Sequence, residues 1–269
     1  MPRYFDTHAH YDDKRFDGDR DKIISSLGEH NVELVLNPGS CMRSSRAAVA
    51  LSGKYHFIYS AVGVHPHYVK GLTEDSISEL RQMSKHPKVA AIGEIGLDYY
   101  RDLSPRDVQK RWFERQLQLA AELDMPVIIH DRDAHADTLD ILKSFSLKAV
   151  VYHCYSGSLE YAKVLLRQGY YLSFTGAITF KGAQKSHDVI RYMPLERLML
   201  ETDAPYLAPE PWRSKRNDST LLRPVAQFMA DIRGITIEEL SEATFLTGKD
   251  FFGAGALPGN AGASPRTPV

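Results

Sequence analysis

The chain has 269 residues, a formal net charge of −1 and 43% hydrophobic residues, the balance of a soluble globular protein able to bury a sizeable core. Near neutrality excludes a global positive field, so a nucleic-acid partner would have to be held by a local basic patch or by metal. Cys41 and Cys154 are the only cysteines, which excludes a disulfide framework and a cysteine zinc cluster; no long apolar run or leader-type segment follows Met1, so a cytoplasmic protein is expected.

Short β-prone apolar runs alternate with helical patterns along the chain. Strands are predicted at residues 3–8, 32–36, 57–64, 89–93, 127–130, 149–153, 170–174 and 197–200. The clearest helix covers 106–124, with Ser104-Pro105 as cap and first-turn proline, and ends at Met125-Pro126. A helix at 159–167 closes at Gly169, and helices at 221–233 and 237–246 follow the last strand. Eight βα units without a glycine-rich phosphate fingerprint predict an α/β fold of the closed TIM (β/α)8 type rather than an open doubly wound sheet. One hydrolase barrel is expected over 1–253, with a disordered Gly/Ala/Pro tail over 254–269.

In such a barrel the chemistry gathers where strands end. His8-Ala9-His10 closes the first strand, and side chains two apart on an extended backbone point the same way. His65, Glu94, His130, His153 and Asp203 each follow an apolar strand in the same manner. Buried imidazoles and carboxylates at that density are costly unless paired or bound to metal, so a divalent cation site is expected. Blander roles compete: His130 and His153 as core histidines, Glu94 as an ion-pair partner, Asp203 as a turn cap before Pro205. Gly93 and Gly96 leave the backbone bare enough to present Glu94 to a ligand. His67 is read as a surface histidine, Glu201 as structural and one residue out of phase with the inward set, and Cys154 as a small apolar residue facing the helices.

Six stretches then carry a resemblance: Phe5-Asp6-Thr7-His8-Ala9-His10, Gly63-Val64-His65-Pro66, Gly93-Glu94-Ile95-Gly96-Leu97-Asp98, residues 126–134 from Pro126 through His130 to Ala134, His153-Cys154-Tyr155-Ser156-Gly157, and residues 198–205 through Glu201-Thr202-Asp203-Ala204-Pro205. Together they resemble the TatD family of metal-dependent deoxyribonucleases, within the amidohydrolase superfamily, over residues 4–253. The resemblance implies two divalent ions (Zn, Mg, Mn, Ni or Co), one held by His8, His10, Glu94 and Asp203 and the other by Glu94, His130 and His153. Keeping the His-x-His pair places the chain in the two-metal branch. Two departures bear on the substrate loop: Ala136 stands where the family has an acid, with Asp137 next, and residues 213–219 read Arg-Ser-Lys-Arg-Asn-Asp-Ser where the family has Arg-Gly-Lys-Arg-Asn-Glu-Pro.

The activity implied is phosphodiester hydrolysis of DNA, as a 3′–5′ exonuclease on single or frayed strands. Metal-activated water attacks, with Glu94 bridging and Asp203 as base. Expected substrate contacts are His65, Arg132, Arg101, Arg213, Lys181 and Arg216, with Tyr99 and Tyr206 stacking on bases. The alternatives are an ester or amide hydrolase on the same scaffold, resembling an aminoacyl-tRNA deacylase or a lactonase, and a noncatalytic metal-stabilised binding protein. A glycosidase fails on the histidines, which that chemistry does not need. DNA is the expected partner, and no membrane is.

Overall fold

The computed structural model describes residues 1–254. In chain order the elements are β1 (Tyr4–Asp6), α1 (Arg20–Ser26), β2 (Val32–Pro38), α2 (Met42–Lys54), β3 (Ile58–Val62), α3 (Glu74–Met83), β4 (Val89–Asp98), α4 (Arg106–Glu122), β5 (Val127–Arg132), α5 (His135–Leu142), β6 (Val150–Tyr152), α6 (Leu159–Arg167), β7 (Tyr171–Phe174), α7 (Gln184–Tyr192), β8 (Leu198–Leu200), α8 (Leu222–Arg233) and α9 (Ile237–Phe252). The eight strands pair in sequence order, each parallel to the next. This is the expected TIM barrel: right-handed βαβ crossovers place the helices outside and all strand carboxyl ends on one face. None of the helices of the described residues is long and apolar enough to cross a membrane.

Two buried clusters build it. One lies between strands and helices and includes Trp112, Phe113 and Leu117 of α4, the face that the helical spacing of that segment sets apart. The other fills the barrel with one residue from each of seven strands: Phe5, Leu36, Ala61, Ala91, Ile128, Val151 and Met199. Below them α9 contributes Phe245, Phe251 and Phe252, and Ala254 joins the plug. The sequence reading ended α9 at residue 246 and began the tail at 254. Instead the helix runs on, opened by a Thr236/Glu239 capping box, because the two phenylalanines close the barrel floor. The rest of the expected tail, 255–269, lies outside the described residues. Ser104 does not cap α4; Pro105 precedes the first turn, and the Ser104 hydroxyl donates to the His67 carbonyl at 3.3 Å.

The seam between β8 and β1 is joined near the mouth. Leu200 accepts from the Thr7 amide at 3.2 Å, and the Asp203 amide donates to His8 at 2.8 Å. Under that joint the buried Asp6 carboxylate accepts from the Thr202 amide and hydroxyl at 3.0 and 2.6 Å and from the Ser219 hydroxyl at 2.6 Å. Burial pushes its pKa up to about 7 despite those bonds from Ser219 and Thr202. Ser219 is one of the departures from the family pattern, and it spends its hydroxyl on this joint while its amide meets the Tyr11 hydroxyl.

Gly96 shows how tightly the mouth is built. It pairs with His130 and has φ +144°, and a Cβ there would lie 2.0 Å from the His130 carbonyl oxygen. Both the left-handed backbone and the clash with main chain oppose a side chain. Gly96→Ala is therefore expected to destabilise the fold by about 3 kcal/mol or more, read as a lower denaturant midpoint at unchanged slope.

Candidate functional site

Strand periodicity sets the site above the apolar fill. Ile128 and Val151 point inward, so His130 and His153, two residues further on, do the same. Glu94 comes from within β4, which runs past the predicted end at Gly93. The β4–β5 register shifts between Ile92 and Ile95, and this irregularity turns Glu94 into the barrel. The Gly93–Glu94 peptide is cis. His8, His10 and His65 follow β1 and β3, and Asp203 follows β8 with φ +55°, its carbonyl accepting from the Tyr206 amide at 2.8 Å. Asp203 thus makes the turn and also faces the site.

The side chains meet on Glu94. Its Oε2 lies 3.5 Å from His8 Nε2 and 3.8 Å from His10 Nε2. Asp203 Oδ1 completes that group at 3.8 and 3.5 Å from the same two nitrogens, which are themselves 3.1 Å apart. Glu94 Oε1 faces the other way, 2.7 Å from His153 Nε2, 2.9 Å from His130 Nδ1 and 3.5 Å from His65 Nε2. His65, read from the sequence as a substrate contact, is therefore gathered into the donor cluster. The His8 and His153 rings stack at 4.1 Å and join the two halves.

Charges are balanced within the cluster. Burial would raise the Glu94 carboxyl, but His153, His65 and His130 hold it well below the usual carboxylate range. For His153 burial works against protonation, and Glu94 and Glu201 overcome it. His10 behaves likewise, pushed up to about 9 against burial by Asp203 and Glu94. His8 and His65 go down, through burial and through the neighbouring imidazoles of His153 and His130 respectively. A donor set of five imidazoles and two carboxylates, with nitrogens facing one another in a buried pit, suits one or more divalent cations. Three overlapping triads among the described residues, His8/His10/Glu94, His65/Glu94/His130 and His8/His153/Glu201, offer donor atoms within one ion's reach.

Several expectations need correcting. Glu201 is not out of phase: Met199 lies inside the barrel, so Glu201 does too. It is buried, accepts from the Cys154 amide at 2.7 Å and lies 3.7 Å from His153 Nδ1, on the far side of that ring from Glu94. Cys154 is partly exposed rather than buried, its Sγ 3.6 Å from the Thr175 hydroxyl at the end of β7. His67 is no free surface histidine: its Nε2 lies 2.7 Å from Asp98 Oδ2, which also stands 3.1 Å from His130 Nε2. Asp98, which the sequence reading quoted without giving it a role, orients the ring that turns Nδ1 to Glu94. The signal for it was there, because His65-Pro66-His67 repeats the His-x-His spacing.

The expected substrate contacts divide. Arg132 lies over the Tyr100 ring at 3.8 Å, and Tyr206 is exposed beside His10. Arg101 is exposed, and its amide donates to Asp98. Arg213 packs over Phe180 at 4.2 Å, and Lys181 is exposed. Arg216 is paired with Asp19, its guanidinium at 2.6 and 2.8 Å from that carboxylate. Tyr99 is covered on one face by Arg106 at 4.3 Å, and its hydroxyl donates to Asp137 at 2.6 Å. Asp137 also pairs with Lys110, so it does not replace the acid missing at Ala136 within the donor cluster. Tyr68, Tyr100 and Arg15 stand at the mouth without having been singled out.

One ion pair beside the site gives a clean pH handle. Asp131 Oδ2 accepts from His135 Nδ1 at 2.7 Å and raises that imidazole above its ordinary value. A raised histidine contributes stability that is complete below its unfolded pKa of about 6.5 and vanishes as pH climbs through the folded value. The stability gap between the protein and His135→Gln is therefore expected to be wider at about pH 5.5 than at about pH 9. The ring is 41% exposed, which keeps the difference under about 1 kcal/mol in paired melts.

Comparison with known proteins shows the family of the chain. The profile of the family described as TatD related DNase matches residues 5–253. A Bacillus subtilis protein named uncharacterized metal-dependent hydrolase YabD is 40% identical over 250 residues, which is 92% of this chain and 98% of the relative. The Erwinia amylovora protein named 3′-5′ ssDNA/RNA exonuclease TatD is 35% identical over 257 residues, 93% of this chain and 99% of the relative. Among solved structures, the Escherichia coli TatD homologue YJJV superposes with a TM-score of 0.89 at 31% identity, over 94% of this chain and 98% of the other.

Proposed function

Because the chain belongs to the TatD related DNase family, we propose that it is a divalent-metal-dependent hydrolase that releases nucleotides from the 3′ end of single-stranded nucleic acid. The observation that carries this reading is the Glu94 carboxylate, with one oxygen facing His8 and His10 and the other facing His130 and His153. In this reading two cations are held, one by His8, His10, Glu94 and Asp203, the other by Glu94, His130 and His153, with His65 at its edge. When bound, such a pair supplies acidified water and neutralises charge that builds on a phosphoryl group.

The remaining work falls to side chains. Asp203 is partly exposed to the mouth, so its carboxylate meets solvent and can take the proton of an attacking water. Burial would raise that carboxyl, but His10 and His8 keep it below its ordinary value and ionised at neutral pH. His130 opens to the mouth as well, which favours a reacting site over a closed structural one. Arg132 is the arginine we assign to the substrate phosphate. Glu201 and Asp98 hold His153 and His130 from behind. Its two free cysteines suit a reducing compartment, and we place the protein in the cytoplasm.

Single-stranded DNA and RNA carrying a label at either end should be digested with Mg, Mn or Zn present. The reading expects mononucleotides shed from the 3′ end and no turnover with chelator. Turnover confined to carboxyl esters in a parallel panel would overturn it.

A further inference from the structure

The donor pit has two exposed aromatic posts that the cluster does not use. Tyr68, in the turn after β3, is 56% exposed, and its ring lies 6.5 Å from that of His65. Tyr206, in the turn after β8, is 48% exposed, and its ring lies edge-on 6.5 Å from that of His10. Through His65 and His10 they flank the pit from opposite halves of the donor cluster. Arg15, tied to Asp13 at 3.0 Å, lies over one face of Tyr206 at 4.0 Å. With that face backed by a guanidinium and an edge toward His10, the open part of the ring is its other face.

We propose that Tyr68 and Tyr206 form a clamp that receives the terminal nucleobase of a single strand, seating the adjoining phosphodiester over the donor pit. The proposal rests on the nuclease reading above and adds how the strand end is held. A base has a π-face whatever its identity, so a tyrosine clamp tolerates sequence. A base still paired in a duplex keeps its faces stacked within the helix and cannot enter. The clamp thus selects unpaired ends with no base-specific hydrogen bond.

The test measures binding separately from cleavage. The metal-loaded full chain is titrated into a 5′-fluorescent oligodeoxynucleotide whose 3′-terminal linkages are phosphorothioate, and anisotropy is read. A matched probe carries a tetrahydrofuran abasic residue at the 3′ end. The protein is expected to bind the base-bearing end about 10-fold more tightly than the abasic one. Tyr68→Ala and Tyr206→Ala should each remove most of that preference, while Tyr206→Trp keeps it. Tyr192→Ala is the control: this tyrosine is 54% exposed on α7, against Lys163, and its loss should change nothing. Equal affinity for the two probes in the unaltered protein, or an undiminished preference in the Tyr68→Ala/Tyr206→Ala double variant, overturns the clamp. Failure of the nuclease reading shows elsewhere, as unmodified strands left intact.

Discussion

Glu94→Gln is expected to lower metal-dependent hydrolysis by about a thousandfold or more and to leave the purified protein short of metal. Glutamine keeps the shape of the side chain but removes the charge that both halves of the donor set share. Its amide must also turn an N–H toward either the His8/His10 pair or the His130/His153 pair, where only acceptors are useful. Losing several kcal/mol of transition-state charge stabilisation corresponds to roughly that factor in rate. Metal content by elemental analysis and initial rates on a labelled single strand are the two readouts, with far-UV circular dichroism to confirm the fold. A variant that keeps its full complement of metal and a rate within tenfold of the original would remove Glu94 from the centre of the site.

Asp203→Asn should separate binding from chemistry. His8, His10 and Glu94 remain, so cation content is expected to stay near that of the original protein. What disappears is the carboxylate open to the mouth, and kcat should fall by about 100- to 10,000-fold with KM changing only a few-fold. A rise in KM with kcat intact would instead make Asp203 a contact for substrate. The pair of variants is informative because both residues bear on the same two imidazoles from different strands.

Much of this architecture could be read from alternation. Ile128 with His130, and Val151 with His153, keep the two-residue period, and a barrel of eight parallel strands turns that period into a shared direction. Glu94 was found through its flanking glycines, although the register shift that aims it is a property of β4 against β5 and leaves no local mark. Glu201 was misplaced because its phase must be counted from Met199, a residue whose inward direction only the packed barrel reveals. Arg216 and Tyr99 have partners that were hidden for another reason. Which anion occupies an arginine, or which cation covers a ring, depends on partners brought by folding: Asp19 lies about two hundred residues from Arg216, and Arg106 arrives from α4. Tyr68 and Tyr100 carry no sequence signal beyond being aromatic near a strand end.

The β8–β1 joint has a consequence for how the protein is made. His8 and His10 are synthesised about two hundred residues before Asp203, and the Asp6–Thr202 and Asp6–Ser219 bonds that hold them together span that whole interval. A chain synthesised only as far as β7 therefore carries the five imidazoles and Glu94 but lacks Asp203 and the joint that aligns it with His8 and His10. The donor set is complete only once β8 has closed on β1, so assembly of the pit is tied to the last step of barrel closure.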